Sequence, residues 1–172
     1  IGRPGQLPLR LDGGRLHDGE VDLRVISAQA SSAILFAALA AKTSVTIKTY
    51  RSSRDHTPRI LRALGGEVIR ESDKITLRPS RLRAIGECSV PRDPSAAAFF
   101  AIKHVLSHAQ VSLVLRDLCL NPSRLGLYEL LKQCGANLVI QPETVSLGEP
   151  VGSITIGPQV RPLQPFAVYD VN

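Results

Sequence analysis

VISAQASSAILFAALAA, residues 25–41, opens on a polar Ser27-Ala28-Gln29 and then runs almost without interruption through apolar residues. Small and aliphatic side chains over four turns, with no glycine or proline among them, read as a helix that is apolar all round and so belongs inside the molecule. A strand-like VDLRVI (21–26) leads into it and TSVTIKTY (43–50) follows. A second polar opening, Ser53-Arg54-Asp55-His56-Thr57-Pro58, then starts an amphipathic helix over 58–64 that stops at Gly65-Gly66. Two short strands, EVIRE (67–71) and KITLRPS (74–80), close the unit.

The second half repeats this order. GECSVP (86–91) leads to an apolar helix over 94–106, then to the strand QVSLVLRDL (110–118) and a helix over 122–134 ended by Gly135. The strands NLVIQ (137–141) and ETVSL (143–147) finish the repeat. Val45-Thr46-Ile47 matches Val111-Ser112-Leu113 at an offset of 66, and Gly65 matches Gly135 at an offset of 70. One supersecondary unit, βαβαββ, is therefore expected twice, over 18–80 and 86–148, with a tail over 149–172. The fold class is α/β, two repeated units around buried helices.

Helix starts have physical causes. Thr57, Asp93 and Asn121 can each accept a bond from an unpaired first-turn N–H, and each precedes a proline at the first helical position. Gly65 and Gly135 can take the positive φ that ends a helix.

Composition narrows the function. The 172 residues include 44% hydrophobic ones, enough for a core. The longest apolar run, residues 33–41, is far short of the roughly 20 residues that a membrane span needs. No signal-peptide pattern opens the chain, and its three cysteines have no metal-ligand spacing, so reduced thiols in a cytosol-like compartment are expected. The absence of methionine points to a partial or processed chain. A net charge of +6, carried by 16 Arg against 5 Lys, favours anionic partners. Nucleic acid is one candidate and small phosphorylated substrates another, and composition alone does not choose between them; 4% aromatics and no basic run longer than two residues stand against a nucleic-acid-binding module.

Read alone, Ser27 is an N-cap, or it is part of an anion site in which first-turn N–H groups, the helix dipole and a hydroxyl converge. Arg54 is either solvated or a phosphate contact. Asp55 reads as a helix-start carboxylate and His56 as a partly buried structural imidazole. Asp93 with Ser95, and Asn121 with Arg124, read as caps and ties between units. His17, His104 and His108 have no ligand-like partners, and no metal site is expected.

Four segments together, SAQ (27–29), SRDHT (53–57), VPRDPSAAAFF (90–100) and NPSRLGLYELLKQCGA (121–136), resemble 5-enolpyruvylshikimate-3-phosphate synthases of the Ser-Ala-Gln form. PLRLDGGRL (8–16) is similar to that family's lead-in. The resemblance implies an enolpyruvyl transferase-like inside-out α/β barrel, present in part, and transfer of the enolpyruvyl group of phosphoenolpyruvate to the 5-hydroxyl of shikimate 3-phosphate. It implies no cofactor and no metal. Ser27 and the Ala28 backbone would hold the 3-phosphate, Gln29 would reach the ring, and Arg54 would contact the phosphorylated substrate. Asp170, in AVYDVN, would be the general base facing the 5-hydroxyl. Arg92 stands where the family has glycine, so a different local turn is expected there. The family's Lys-Ser pair, its Asn-x-Gly-Thr segment and the charged residues of its other domain are not found. An isolated chain without them is expected not to turn over. The alternatives are the UDP-N-acetylglucosamine enolpyruvyl transferases, which lack the Ser-Arg-Asp-His-Thr motif, a basic nucleic-acid-binding module, and a folded remnant without activity.

Overall fold

The computed structural model describes residues 12–24, 26–49, 54–107, 109–159 and 162–165. In the first unit β1 (Gly19–Leu23), α1 (Ala28–Ala41), β2 (Val45–Thr49), α2 (His56–Ala63), β3 (Glu67–Arg70) and β4 (Lys74–Arg78) follow one another. In the second, α3 (Pro94–Leu106), β5 (Leu113–Cys119), a 3-10 turn (Pro122–Arg124), α4 (Gly126–Gln133), β6 (Leu138–Ser146) and β7 (Glu149–Ile156) do so.

The helix α1 is a crossover, and a crossover brings the next strand back parallel. Accordingly β1 and β2 pair in parallel, from Gly19↔Val45 to Leu23↔Thr49. The hairpin β3–β4 adds antiparallel, giving the order β1-β2-β4-β3. Strand alternation sorts the faces. Val45, Ile47, Val68, Ile75 and Leu77 form one buried cluster with Leu35 and Ala38 of α1 and Leu61 of α2. The alternating positions carry Thr46 and Thr76, whose hydroxyls lie 3.1 Å apart, and the Lys48–Glu20 ion pair.

The second sheet has the order β5-β7-β6, which reproduces β2-β4-β3 strand for strand. Its counterpart of β1 is absent among the described residues: the segment 86–91 forms no strand, and only Arg92 bridges Leu118 in parallel. Arg92 N–H donates to Asp117 O at 2.7 Å and Cys119 N–H to Arg92 O at 3.0 Å. Arg92 is not among the residues with positive φ, whereas Asp117 (φ 58), in a bulge between Leu115 and Leu118, is. Leu118, Leu120, Tyr128, Leu138, Ile154 and Ile156 make the second core with Ala98, Ala101 and Val105 of α3. Tyr128 is fully enclosed, its hydroxyl donating to Pro94 O at 2.7 Å, and burial pushes its pKa up to about 12.

Several expected boundaries move. The chain does not turn at Pro142: β6 runs through it, and a register shift between Pro142 and Thr144 accommodates the missing N–H. The turn is Leu147-Gly148, with φ of 50 and 77, and β7 begins at Glu149. A unit ending at 148 would cut this hairpin, so residues 149–156 belong to the second sheet and not to a tail. The helix α2 begins at His56, two residues before Pro58, and the Thr57 hydroxyl, expected to cap it, meets Ser32 Oγ instead. Asn121 opens a 3-10 turn before α4. Asp93 and Asn121 cap as expected, accepting from Ser95 and Ser123 N–H at 2.9 Å.

The two apolar helices are not enclosed on all sides. The buried residues of α1 are Ser31, Leu35 and Ala38, and those of α3 are Pro94, Ala98, Ala101 and Val105. Phe36 on α1 is 53% exposed and Phe99 on α3 78% exposed. One sheet covers one stripe of a helix; enclosing the opposite stripe takes a further layer, which the described residues do not provide. Leu35→Ala is expected to cost about 3 kcal/mol and Phe99→Ser less than about 0.5 kcal/mol, read from urea-unfolding midpoints.

Candidate functional site

Because β1 and β2 are parallel neighbours, both strand-to-helix turns leave the same edge of the first sheet. That edge, beyond the carboxyl ends of parallel strands, is where open α/β sheets offer a crevice. At the first turn Ser27 is the N-cap of α1, with φ −140 and ψ 111, and its Oγ accepts from Ala30 N–H at 3.2 Å. The Ser27 hydroxyl lies 3.3 Å from Gln29 Oε1. The N–H groups of Ala28 and Gln29 have no acceptor within the helix, and no acidic side chain occupies its first turn. Two backbone donors, one hydroxyl and the exposed Gln29 amide are therefore grouped at a positive dipole end.

At the second turn Arg54 is exposed, immediately before Asp55, the N-cap of α2. Ser32 Oγ donates its single proton to Ala28 O at 2.7 Å. The Thr57 hydroxyl, 2.8 Å from Ser32 Oγ, must then be the donor in that contact. This bond joins the first turn of α2 to α1 one turn above Ser27. Four of the five expected site residues, Ser27, Ala28, Gln29 and Arg54, thus stand along one edge. Asp170, like Ser53, lies outside the described residues.

Behind this edge is a polar cluster that sequence reasoning missed. Asp55, read as a helix-start carboxylate, is the N-cap residue of α2 in place of the expected Thr57, but its side chain makes no cap bond. Its carboxylate instead accepts from Asn121 Nδ2 at 2.8 Å, lies 2.9 Å from Arg59 Nε, and pairs with Arg70. Asn121 Nδ2 also donates to Glu149 Oε2 at 2.8 Å, and Glu149 Oε1 lies 2.8 Å from His56 Nδ1. Cys119 Sγ is 3.9 Å from Glu149 Oε2. Asn121 and Glu149 are 1% and 5% exposed. Asn121 is thus a tie between units, as expected, whereas Arg124 bonds Asp93 at 2.6 Å and Ser95 at 3.0 Å within its own unit. Glu149 sits in a Gly-Glu-Pro string that reads as an exposed turn, and no periodicity marks it.

Burial pushes the Asp55 carboxyl upward, but bonds from Arg59 and Asn121 and the charges of Arg59 and Arg70 outweigh it and hold its pKa below the usual carboxylate range. Burial raises the Cys119 thiol, so it stays protonated beside Glu149.

A sequence model of the family "EPSP synthase (3-phosphoshikimate 1-carboxyvinyltransferase)" matches residues 2–169. The chain belongs to the EPSP synthase family. Among its relatives is the 3-phosphoshikimate 1-carboxyvinyltransferase of Limosilactobacillus fermentum, 42% identical over 158 residues, covering 91% of this chain and 36% of the relative. That of Chloroflexus aurantiacus is 41% identical over 152 residues, covering 87% and 35%. An EPSP synthase structure from Acinetobacter baumannii superposes with a TM-score of 0.76 at 37% identity, over 83% of this chain and 32% of that one. The chain thus spans about a third of the length of the relatives it matches. The enolpyruvyl transferase fold expected from the motifs agrees with these structures. The family match ends one residue before Asp170.

The depressed pKa of Asp55 has a definite sign. Its ion pairs stabilise the fold fully above the unfolded carboxylate pKa, and the contribution is lost as pH falls through the lower folded value. Urea unfolding followed from neutral to strongly acidic pH should show this acid loss, and Asp55→Asn should flatten that part of the profile. Asn121→Leu leaves two buried carboxylates without their shared donor and should cost about 2–3 kcal/mol at neutral pH.

Proposed function

We propose that this chain supplies the shikimate 3-phosphate side of a 3-phosphoshikimate 1-carboxyvinyltransferase active site. The observation that supports it most is the Thr57–Ser32 hydrogen bond, which holds the Ser27–Gln29 helix start and the Arg54 turn on one edge in a member of this family. The 3-phosphate is held by the Ser27 hydroxyl and the first-turn N–H groups of α1, and Gln29 reaches the ring. Arg54 adds a cationic fork for phosphate oxygens. In the reaction the 5-oxygen of shikimate 3-phosphate bonds to C2 of phosphoenolpyruvate, the C2–O bond to phosphate breaks, and inorganic phosphate leaves. Asp170 takes the proton of the 5-hydroxyl. Phosphoenolpyruvate is clamped by groups outside this chain, in the remainder of the enzyme. The described units form part of one enolpyruvyl transferase domain. No helix among the described residues is long and apolar enough to cross a membrane, and we assign the reaction to the cytoplasm.

Calorimetry with shikimate 3-phosphate at millimolar concentration should show weak binding by the chain. Arg54→Ala should weaken it roughly ten- to a hundredfold, the range expected for hydrogen bonds to a charged group. Equal affinity of the two forms, or no heat with either, removes the assigned site. Phosphate release from the two substrates should be undetectable for the chain alone. If the complementary portion restores turnover, Asp170→Asn should abolish most of it; full activity of that variant removes Asp170 from the mechanism.

A further inference from the structure

The side chains of His56, Cys119 and Glu149 converge although nothing in their sequence spacing brings them together. Nδ1 of His56, Sγ of Cys119 and a carboxylate oxygen of Glu149 all lie within 4.8 Å of one another. The closest pair, Nδ1 and Oε1, is 2.8 Å apart, and Sγ and Oε2 are 3.9 Å apart. A tetrahedral zinc ion, about 2.0 Å from nitrogen and oxygen and about 2.3 Å from sulfur, spaces such ligands about 3.3–3.6 Å apart. The Nδ1–Oε1 separation lies below that range and the Sγ–Oε2 separation above it, so the three donors are grouped at close to the spacing that one shared ion requires.

Three further features suit a cation. One nitrogen, one sulfur and one carboxylate oxygen form a donor set that favours zinc over the hard ions magnesium and calcium. The Glu149 carboxylate is already oriented by Asn121 Nδ2, a bond of the outer-shell kind that steers ligating carboxylates. The ligands also differ in access. Glu149 and Cys119 are buried, whereas the His56 side chain is 35% exposed and leaves a path to the cluster from solvent. With three protein ligands the fourth position is open to water. The neighbouring guanidinium of Arg59, 4.0 Å from Glu149 Oε2, opposes the cation, and ligation must displace the thiol proton. Binding is therefore weaker than at a four-ligand structural site.

We infer that His56, Cys119 and Glu149 form a zinc-binding site that staples α2 of the first unit to β5 and β7 of the second.

The test uses the whole chain after chelator treatment, titrated with Zn2+ and, in parallel, with Co2+ as a spectroscopic probe. A single equivalent should bind, Zn2+ should raise the thermal unfolding midpoint, and Co2+ should give a thiolate charge-transfer band. Both effects should disappear in Cys119→Ser and His56→Ala and persist in Cys88→Ser and Cys134→Ser. Loss of the band in Cys88→Ser, where the thiol is exposed, would show a surface thiol only and overturns the site. Absence of binding, or a midpoint unmoved by Zn2+, overturns it as well. Should the Cys119 variant not fold, alkylation of the wild-type chain decides: Zn2+ should slow modification of Cys119 at least about tenfold and leave Cys88 unaffected, since the metal holds the thiolate. Equal rates with and without Zn2+ sink the proposal.

Discussion

The amide of Asn121 is the constraint on which the two units depend. A single –NH2 group donates to a carboxylate of each unit, Asp55 and Glu149, both buried. Two carboxylates so close repel, and burial strips the water that would otherwise screen them. The amide, Arg59 and Arg70 satisfy them together. The network also ties the start of α2, beside Arg54, to the second unit: Asp55 is the N-cap of α2, and its carboxylate joins that helix start to Asn121. The Thr57–Ser32 bond then carries this placement to α1 and to the Ser27 turn. Packing supplies the bulk of the stability through the two apolar clusters, while the polar junction decides how one half meets the other.

Much of the architecture was legible because it rests on local chemistry. Gly65 and Gly135 end helices at φ 91 and 89, as their place after an amphipathic run implies. Asp93 and Asn121 cap because a short polar side chain before proline has an unpaired N–H within reach. The offset of 66 between the halves came from a three-residue match, Val45-Thr46-Ile47 with Val111-Ser112-Leu113, and the two sheets share the strand order that the repeat implies. The placement of the candidate residues was legible for the same reason: Ser27 and Arg54 sit beside helix starts, and a helix start is a local signal.

What escaped the sequence is non-local. A proline followed by a glutamate, Pro142-Glu143, reads as a turn, yet a bulge let β6 pass through it. The actual turn places Leu147 at φ 50, a conformation for which leucine has no preference. Glu149 was assigned to a tail because burial of a lone glutamate depends on Asn121 and His56, 28 and 93 residues away. Apolarity on every side of α1 and α3 suggested enclosure, but composition states what a helix could bury and not what lies next to it. Asp170 was carried by resemblance alone and has no geometry to support it.

Asp55 opens α2 of the first unit, Asn121 opens the 3-10 turn that precedes α4 of the second, and the two side chains touch. An aspartate in place of Asn121 would set carboxylate against carboxylate there, buried like charges at hydrogen-bond distance with no proton between them. The amide turns that repulsion into a donor–acceptor pair. Whatever likeness the two units keep elsewhere, they have to differ in charge where these turns meet.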